Sequence, residues 1–394
     1  MSWNQYIKKI NDVCEVVAGQ SPEGKYYNKE GEGLPFYQGK KEFTDRVIGE
    51  PTTWTTKVTK EAIAGDILMS VRAPVGPINL SSQLCCIGRG LAAIRATEDV
   101  NNDFLFYFLL KHEAEIVGST GAVFNSINKS QIGNIEIPIP PLSEQKQIVK
   151  ILDKAFAAID QAKANIEKNM QNAKELFQSK LNEIFSQKGD GWMEKELREI
   201  GIIQTGTTPP TKDISNYGDY ISFVKPAHFN LDGSIDAGDS MLSKSGLEKG
   251  RLFKANSVLM VCIGATIGKT GFVEIPVSSN QQINALTPSD KYIPKLLYYG
   301  LISPIIQQQV LESGKSAQAT LPIINKSKWE KLRLFAPEDK SIQSKIVKTL
   351  DSLNLSTKKL EAVYAKKIME LDELKKSILQ KAFAGELTNK EVVA

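Results

Sequence analysis

The chain has 394 residues, more than one compact core accommodates, and therefore predicts at least two domains. Apolar residues make up 41% and charged residues 24%, as in ordinary water-soluble globular proteins, and the net charge of +4 permits an anionic partner without requiring one. The four cysteines form no C-x-x-C pair and the two histidines lie far apart, which argues against a zinc site and favours reduced thiols. No signal peptide or membrane span is recognisable, so we expect a cytoplasmic protein without a membrane partner.

The first half of the chain runs from a globular segment into a long helix. After the opening at Trp3, the pattern predicts an apolar strand in GDILMSVRAPVGPI from Gly65, an aromatic helix at residues 104–110 and a short strand after NKS at residues 128–130. The stretch IPIPPLSEQKQIVKILD at residues 137–153 then changes character. Its prolines favour an extended chain, and apolar residues at helical spacing follow, so we expect a helix with Ser143 as its N-cap.

The second half repeats these landmarks in the same order. It opens at Trp192, has an apolar strand in ANSVLMVCIGATIGKT from Ala255, an aromatic segment at residues 295–301, NKS at residues 325–327 and a final helix starting with Asp339 or Ser341 as its N-cap. The period is far longer than the 20–50 residues of solenoid repeats. Two unrelated domains with chance similarity remain the alternative, but six ordered matches favour duplication of a whole domain-plus-helix unit.

Both long helices carry an apolar stripe at alternating spacings of three and four, which predicts an antiparallel coiled-coil pair with a defined length. The predicted interface consists of Leu152, Ile159, Ile166, Asn169 and Leu176 in the first helix and Leu350, Leu360, Tyr364, Lys367, Leu371 and Ile378 in the second. Asn169 and Lys367 would form a buried polar layer that fixes the register. Alternatively, Lys367 extends its ammonium group to water at the edge of the interface.

The sequence contains no recognisable catalytic or metal-binding constellation. GATIGKT at residues 264–270 resembles a phosphate loop, but three residues separate its glycines where such a loop requires four, so we interpret it as a turn that ends a strand. The prolines Pro140 and Pro141 lack the amide and aromatic neighbours of an adenine methyltransferase motif. We therefore expect a non-catalytic chain that needs no metal or cofactor of its own.

Several stretches together resemble the specificity subunits of type I restriction–modification enzymes. They are PIPPLSEQKQIVKILD from Pro138, DILMSVRAPVG from Asp66, GRGLAAIR from Gly88, GATIGKTG from Gly264 and LKKSILQKAFAGELT from Leu374. The resemblance covers essentially the whole chain. FAPEDKSIQ in the second half departs from it, with a single proline and with Ile342 where the first half has Glu144.

The resemblance implies an α+β fold in which two α/β target recognition domains are separated by two long helices packed as an antiparallel coiled coil, with a pseudo-two-fold internal repeat. Residues 1–142 and 189–338 would be the recognition domains, residues 143–188 the central spacer helix, and residues 339–394 the C-terminal spacer helix and tail. It also implies double-stranded DNA, two methyltransferase subunits and restriction subunits as partners. S-adenosylmethionine and ATP chemistry would belong to those partners alone.

Residues that read DNA are sought among polar and basic side chains on predicted loops. The DNA-binding candidates are Lys40, Lys41, Arg72, Arg89 and Ser126 in the first half, and Lys225, Lys269, Gln281, Gln282, Lys315 and Gln318 in the second. The lysines suit phosphates, and the glutamine pair suits the bidentate recognition of adenine. For each of these residues the competing interpretation is a loop side chain that is merely solvated.

Two other functions remain open at this stage. A scaffold with two binding globules on a coiled coil would show the same duplication without binding nucleic acid. An enzyme with an unfamiliar site would show catalysis by the isolated chain. Binding to one defined bipartite duplex, but not to scrambled DNA, distinguishes the leading hypothesis from the scaffold.

Overall fold

The structure is a computed structural model that describes residues 6–118, 126–186, 191–230, 232–314 and 322–388, and only the backbone of residues 114–118. Its contacts divide the chain into two compact units. Unit 1 comprises Met1–Ile166 and Lys366–Ala394, and unit 2 comprises Glu167–Ala365. Each unit thus contains one globular segment and part of each long helix.

The first repeat contains short strands, three short or medium helices and one long helix. In chain order they are β1 (Ile7–Lys9), α1 (Ile10–Val13), β2 (Cys14–Ala18), β3 (Tyr27–Asn28), β4 (Leu34–Tyr37), β5 (Trp54–Thr55), β6 (Glu61–Ala62), β7 (Ile67–Ser70), β8 (Ile78–Leu80), β9 (Cys85–Ile87), β10 (Leu91–Ala96), α2 (Asn102–Gly118), α3 (Lys129–Gly133), β11 (Glu136–Pro138) and α4 (Leu142–Phe185).

The second repeat follows the same plan with a different insertion between its first and central strands. Its elements are β12 (Trp192–Glu196), α5 (Leu197–Ile200), β13 (Gly201–Thr205), β14 (Tyr217–Val224), β15 (Met241–Leu242), α6 (Lys244–Lys249), β16 (Leu252–Phe253), β17 (Ser257–Val261), β18 (Thr270–Val273), β19 (Val277–Ser279), β20 (Ile283–Pro288), α7 (Pro294–Leu301), α8 (Pro304–Gly314), α9 (Lys326–Trp329), β21 (Arg333–Pro337) and α10 (Lys340–Phe383).

The sheets of the two repeats have matching topology, which confirms the internal duplication. The antiparallel sheet β2-β10-β7-β8 of unit 1 has the same order as β13-β20-β17-β18 of unit 2. A second sheet in each unit contains one parallel pair, β4 with β9 and β14 with β19. The first and last strands of each repeat also pair, β1 with β11 and β12 with β21.

Successive residues of the central strands are buried on opposite faces, because side chains alternate across a strand. In β7, Ile67 and Met69 belong to a core shared with α2 and α4, whereas Leu68 belongs to a second core beneath the other sheet. In β17, Met260 and Leu259 divide in the same way. The strands therefore read as continuous apolar runs, as strands covered on both faces do.

The two long helices pack antiparallel within each unit. In unit 1, Lys163 of α4 forms a salt bridge with Asp372 of α10, and the earlier residue Asp160 pairs with the later residue Lys375 at 3.3 Å. In unit 2, Lys174 lies 3.7 Å from Glu361. At the ends, Leu152 shares a core with Leu379 and Ala382, and Leu181 shares one with Leu350 and Leu353. Residues later in α4 thus lie beside residues earlier in α10, as the antiparallel arrangement requires.

The heptad assignment of the interface needs correction at four positions. Asn169, Leu176, Leu360 and Lys367 are exposed, with Leu176 at 60%, so Asn169 and Lys367 form no buried polar layer. Leu152, Ile159 and Leu350 are buried, and Ile166, Tyr364, Leu371 and Ile378 are half-buried. The covered stripe of α4 continues through Met170 and Phe177 instead. Seven residues fall short of two full turns of a straight helix, so a strict heptad stripe drifts by about 20° per repeat.

Each junction into a long helix contains one buried glutamine, at equivalent positions in the two repeats. Gln145 Oε1 accepts from Asn101 N at 2.7 Å, and its Nε2 donates to Pro140 O at 2.8 Å. Gln343 does the same with Ile293 N at 2.7 Å and Pro337 O at 2.9 Å. Both side chains are fully buried, so each fixes the extended chain before the helix against the segment that leads into α2 or α7.

Candidate nucleic-acid interface

In each unit, several loops meet at one end of the four-stranded antiparallel sheet. Leu91, the first residue of β10, pairs with Ser70, the last residue of β7, and β2 ends beside Ala92 with Ala18. The loops that follow β2 and β7 therefore meet the loop that precedes β10. We call this region the loop end. It contains Gln20, Ser21, Gln38, Lys40, Lys41, Arg72, Gly88, Arg89, Gly90 and Ser126 in unit 1, and Thr207, Thr208, Lys225, Ile263, Lys269, Asn280, Gln281, Gln282 and Ile323 in unit 2.

Backbone hydrogen bonds hold the two loop ends in the same arrangement. In unit 1 these bonds join Gly19 N to Leu91 O at 2.9 Å, Gly88 N to Tyr37 O at 2.8 Å and Val71 N to Gly90 O at 2.9 Å. In unit 2 the corresponding bonds, in the same order, join Gly206 N to Ile283 O at 3.0 Å, Asn280 N to Val224 O at 3.2 Å and Cys262 N to Gln282 O at 2.7 Å. This correspondence makes Arg89 equivalent to Gln281 and Gln38 equivalent to Lys225.

Arg89 and Gln281 are both exposed on this common backbone frame. Arg89 N donates to Ser21 Oγ at 3.2 Å, and Gln281 Oε1 accepts from the hydroxyl of Thr208 at 2.5 Å. The loop that contains Arg89 also packs closely on its neighbour, because a Cβ on Gly90 would lie 2.3 Å from the backbone oxygen of Gln38. Position 89 thus presents a side chain to solvent from a loop with little freedom to move.

Arg72 and Ser126, which the sequence places far apart, form an isolated antiparallel bridge, and Ile127 N donates to Val71 O at 3.0 Å. Both residues are exposed. The equivalent bridge in unit 2 joins Ile263 and Ile323. The same backbone contact therefore presents a guanidinium and a hydroxyl in one unit and two apolar side chains in the other.

The lysine candidates lie next to this frame. Lys40 and Lys41 are exposed on a 3₁₀ turn at Lys40–Glu42, and Lys41 Nζ lies 3.3 Å from Thr52 Oγ1 at the rim of a cleft of about 220 Å³. Lys225 is exposed directly before a 3₁₀ turn at Pro226–His228. Its backbone N–H donates to His228 Nδ1 at 3.1 Å.

The remaining candidates of the second half are less accessible or lie outside the described residues. Gln282 is half-buried, and its Oε1 accepts from Asn280 Nδ2 at 2.9 Å. Lys269 is also half-buried, in the turn between β17 and β18. Lys315 and Gln318 fall outside the described ranges.

The four arginines of unit 1 divide into two groups by their partners. Arg46 pairs with Asp103 at 2.7 Å, and Arg95 pairs with Asp66 at 2.8 Å and Glu15 at 2.9 Å. Across the part of the chain that the structure describes, no carboxylate is within salt-bridge distance of Arg72 or Arg89. A guanidinium without a carboxylate partner retains all of its donors for a phosphate or a base edge.

The structure adds one pair of basic residues that the sequence analysis missed. Lys60 O accepts from Ile87 N at 2.9 Å at the end of β9, and Arg251 directly precedes β16, whose Leu252 pairs with Ser278 of β19. Lys60 and Arg251 are therefore equivalent, and both are exposed. A register alignment of the two repeats through β9 and β19 would have paired them, but these strands are too short to align by pattern alone.

The GATIGKT stretch is a turn that ends a strand, as predicted. It joins the antiparallel strands β17 and β18, and its backbone N–H groups bond within the turn, with Gly268 N on Val261 O at 2.9 Å and Ile267 N on Gly264 O at 3.1 Å. No helix begins there to present a set of free N–H groups to a phosphate.

Other chemistry finds little support among the described side chains. Burial raises the pKa of the Cys14 and Cys262 thiols to about 12, so both stay protonated at neutral pH. In the described ranges, no three His, Cys, Asp or Glu side chains form a group able to hold a metal ion. The helices of these ranges also include none with the length and apolarity needed to cross a membrane.

Comparison with known proteins agrees with the duplicated architecture. A putative specificity subunit of the type I restriction enzyme MjaX from Methanocaldococcus jannaschii is 44% identical over 170 residues, which cover 42% of this chain and only 39% of that protein. The MjaIX specificity subunit of the same organism is 25% identical over 418 residues, covering 98% of this chain and 94% of that protein. A chain from a solved structure of a type I R-M system has a TM-score of 0.76 at 21% identity, covering 96% of this chain and 97% of the other.

The family model described as "Type I restriction modification DNA specificity domain" matches twice, at residues 3–169 and 189–368. Each match spans one repeat together with more than half of its long helix. Because the two matches cover most of the chain and coincide with the duplicated sheets, the protein belongs to the type I restriction–modification specificity family.

Proposed function

We propose that this chain is the sequence-specific DNA-binding subunit of a type I restriction–modification enzyme, in which each unit reads one half of a bipartite, asymmetric site. The observation that carries this proposal is the loop end. Its backbone is duplicated, whereas its side chains differ at equivalent positions. Unit 1 has Arg89 where unit 2 has Gln281, and Arg72 where unit 2 has Ile263. Equal frames with unequal side chains suit two half-sites of different sequence.

The exposed side chains match the chemistry of base edges. An arginine binds the O6 and N7 atoms of guanine in the major groove with two hydrogen bonds, and a glutamine binds the N6 and N7 atoms of adenine similarly. We therefore assign guanine reading to Arg89 and adenine reading to Gln281. Lys40, Lys41, Lys60, Lys225 and Arg251 surround these positions and suit phosphates, which orient a protein on the duplex without specifying sequence.

The long helices provide a surface for the partner subunits. Several of their apolar side chains are exposed to solvent, and covering them with a partner subunit would remove that apolar surface from water. They are Leu176, Leu355 and Val363 in unit 2, and Met369 and Leu374 in unit 1, with Met369 at 68% exposure. We propose that methyltransferase subunits cover them in the complex, and that restriction subunits join through that assembly.

The catalytic steps would then lie in the partners. The methyltransferase subunits would bind S-adenosylmethionine and the restriction subunits ATP, while this chain would carry no cofactor and act on DNA in the cytoplasm. The buried, protonated thiols and the internally bonded GATIGKT turn support this division, because neither offers a nucleophile or a phosphate site.

Methylation profiling of DNA from a host that carries the chain with its partners tests the proposal and identifies the site. Arg89→Ala should weaken discrimination at one base of the half-site read by unit 1, by about 1–3 kcal/mol, and Gln281→Ala should do so in the other half-site. Lys254→Ala is the control, an exposed change shortly before the first residue of β17, at the end of that strand away from the loop end. Equal binding of the intact complex to specific and scrambled duplexes would instead favour the scaffold alternative.

A further inference from the structure

Two charged residues that base reading does not employ attach equivalent loops to the helices of their own unit. Loop 1 (residues 40–46) follows β4 and carries Lys40 and Lys41. Loop 2 (residues 225–230 and 232–234) follows β14 and carries Lys225. Both begin with a 3₁₀ turn, and both present a charged side chain farther along, Arg46 in loop 1 and Asp232 in loop 2.

Arg46 binds a face built by α2 and α4. Its Nη1 donates to Tyr107 Oη at 2.9 Å and lies 3.6 Å from Asp153 Oδ1, and its Nη2 donates to Asp103 Oδ1 at 2.7 Å. The guanidinium carbon also lies 5.1 Å from the ring centroid of Phe106 and 5.3 Å from that of Tyr107. A planar guanidinium held by three oxygens and two rings has one orientation, so loop 1 is fixed by it.

Asp232 attaches loop 2 to α10. Its carboxylate accepts from Lys358 Nζ at 3.0 Å and from the backbone N and hydroxyl of Ser234 at 2.9 and 2.6 Å. The next residue, Gly233, has φ of +80°, and a Cβ there would lie 1.9 Å from Tyr298 Oη of α7. The tip of loop 2 therefore lies directly on both helices.

The two helix faces are built on the same pair of residues but carry opposite charges. In each unit a tyrosine hydroxyl donates to an aspartate of the long helix, Tyr107 to Asp153 at 2.5 Å and Tyr299 to Asp351 at 2.6 Å. One turn before the tyrosine, unit 1 has Asp103 and unit 2 has Lys295. Two turns after the aspartate, unit 1 has Asp160 and unit 2 has Lys358. The charge of the loop residue is reversed as well, because loop 1 carries Arg46 and loop 2 carries Asp232.

We propose that Arg46 and Asp232 are positioning residues that orient the DNA-reading loops, and that their opposite charges match each loop to the helix face of its own unit. On the other unit's face, Arg46 would meet lysines and Asp232 would meet carboxylates, which opposes mispairing of two otherwise similar repeats. The orienting role rests on the function proposed above, whereas the charge matching does not.

Hydrogen exchange of the full chain without DNA tests the charge matching. Lys358→Asp and Asp232→Arg each place like charges together and should speed exchange of the Asp236 N–H, which bonds to His228 O at 3.0 Å. The expected acceleration is about two- to fivefold for Lys358→Asp, as for a partly exposed ion pair. It is larger for Asp232→Arg, because this change also removes the bonds from Ser234. The double variant gives unit 2 the polarity of unit 1 and should return exchange toward the wild-type rate. Lys359→Asp is the matched control and should change nothing.

Additive effects in the double variant, or unchanged exchange in the single variants, would overturn the charge matching.

Duplex binding by the complex with methyltransferase subunits then tests the orienting role. Lys358→Asp should weaken binding severalfold when the half-site read by unit 2 is intact and have no effect when that half-site is scrambled, and the double variant should recover the affinity. Normal affinity of Lys358→Asp despite faster exchange would refute the orienting role. Failure of the wild-type complex to bind DNA would refute the proposed function, while the exchange result would still decide the charge matching.

Discussion

Asp339 immediately precedes α10, and its carboxylate accepts from Ser341 N at 2.6 Å and Ile342 N at 3.0 Å. It is the N-cap that the sequence suggested, with Ser341 as the alternative. Ser143, the N-cap expected for α4, is exposed and lies inside the first turn, because α4 already begins at Leu142. The expectation for Ser143 was therefore wrong. The helix begins directly after Pro141, whose carbonyl accepts from Glu144 N at 2.8 Å.

The cap predicts a pH-dependent contribution to stability. The hydroxyl of Ser341 and the backbone N–H groups of Ile342 and Ser341 hold the pKa of Asp339 below its ordinary value. The stabilisation is therefore complete above the ordinary pKa of about 3.9 and is lost as the pH falls through the lower pKa of the folded state. Asp339→Ala should lower the melting temperature at pH 7, and the deficit should shrink as the pH falls below about 4. Melting curves over a pH series measure this, and Ser143→Ala should match the wild type throughout.

At the scale of the helix, the apolar residues of α4 follow an eleven-residue spacing better than a heptad. Ile148 and Ile159 are buried, Met170 is half-buried and Leu181 is buried. Eleven residues complete just over three full turns, so such a stripe stays on one side of a nearly straight helix. The heptad interpretation agrees near Leu152 and departs by Leu176, which is the physical reason for the two corrected interface positions on α4, Asn169 and Leu176.

Neighbouring residues of α4 provide a direct test of this stripe. Phe177 is 8% exposed and packs edge-on against Tyr299, with ring centroids 6.2 Å apart, whereas Leu176 is 60% exposed. Phe177→Ala should destabilise unit 2 by about 3 kcal/mol through lost burial and a cavity, and Leu176→Ala should have almost no effect. Urea unfolding followed by hydrogen exchange of the α4 and α7 amides would measure both. Comparable losses in the two variants would restore the heptad assignment.

On the scale of the whole molecule, each compact unit takes its parts from distant stretches of the chain. Phe383, at the end of α10, packs against Phe104 and Phe108 of α2 in unit 1, with ring centroids 5.1 and 5.5 Å apart. Phe185, at the end of α4, lies in the core of unit 2 with Leu334 and Tyr299. Each long helix therefore starts in one core and ends in the other.

If the helices set the gap between half-sites, their length should control it. Inserting eleven residues in each helix, after Ile166 and after Ala365, keeps both stripes in phase and adds about 16 Å of helix. At about 3.4 Å per base pair, we expect the non-specific gap to lengthen by up to about five base pairs. Methylation profiling would give the new gap, and an insertion in one helix alone is the control that should disrupt pairing. A methylated sequence with the original gap would contradict a measuring role for the helices.

The sequence by itself determined the duplication, the order of the elements and the family, because these depend on local patterns that occur twice in the chain. The NKS triplets illustrate this: Asn128 and Asn325 cap the short helices α3 and α9 in both units. Only the tertiary structure decided which side of each long helix is covered, and that Arg72 meets Ser126 while Arg89 corresponds to Gln281. It also revealed Arg46 and Asp232, whose partners are distant in sequence. The reason is physical: helix phase, strand register and ion pairing depend on a second surface, and a local pattern carries no record of which surface that is.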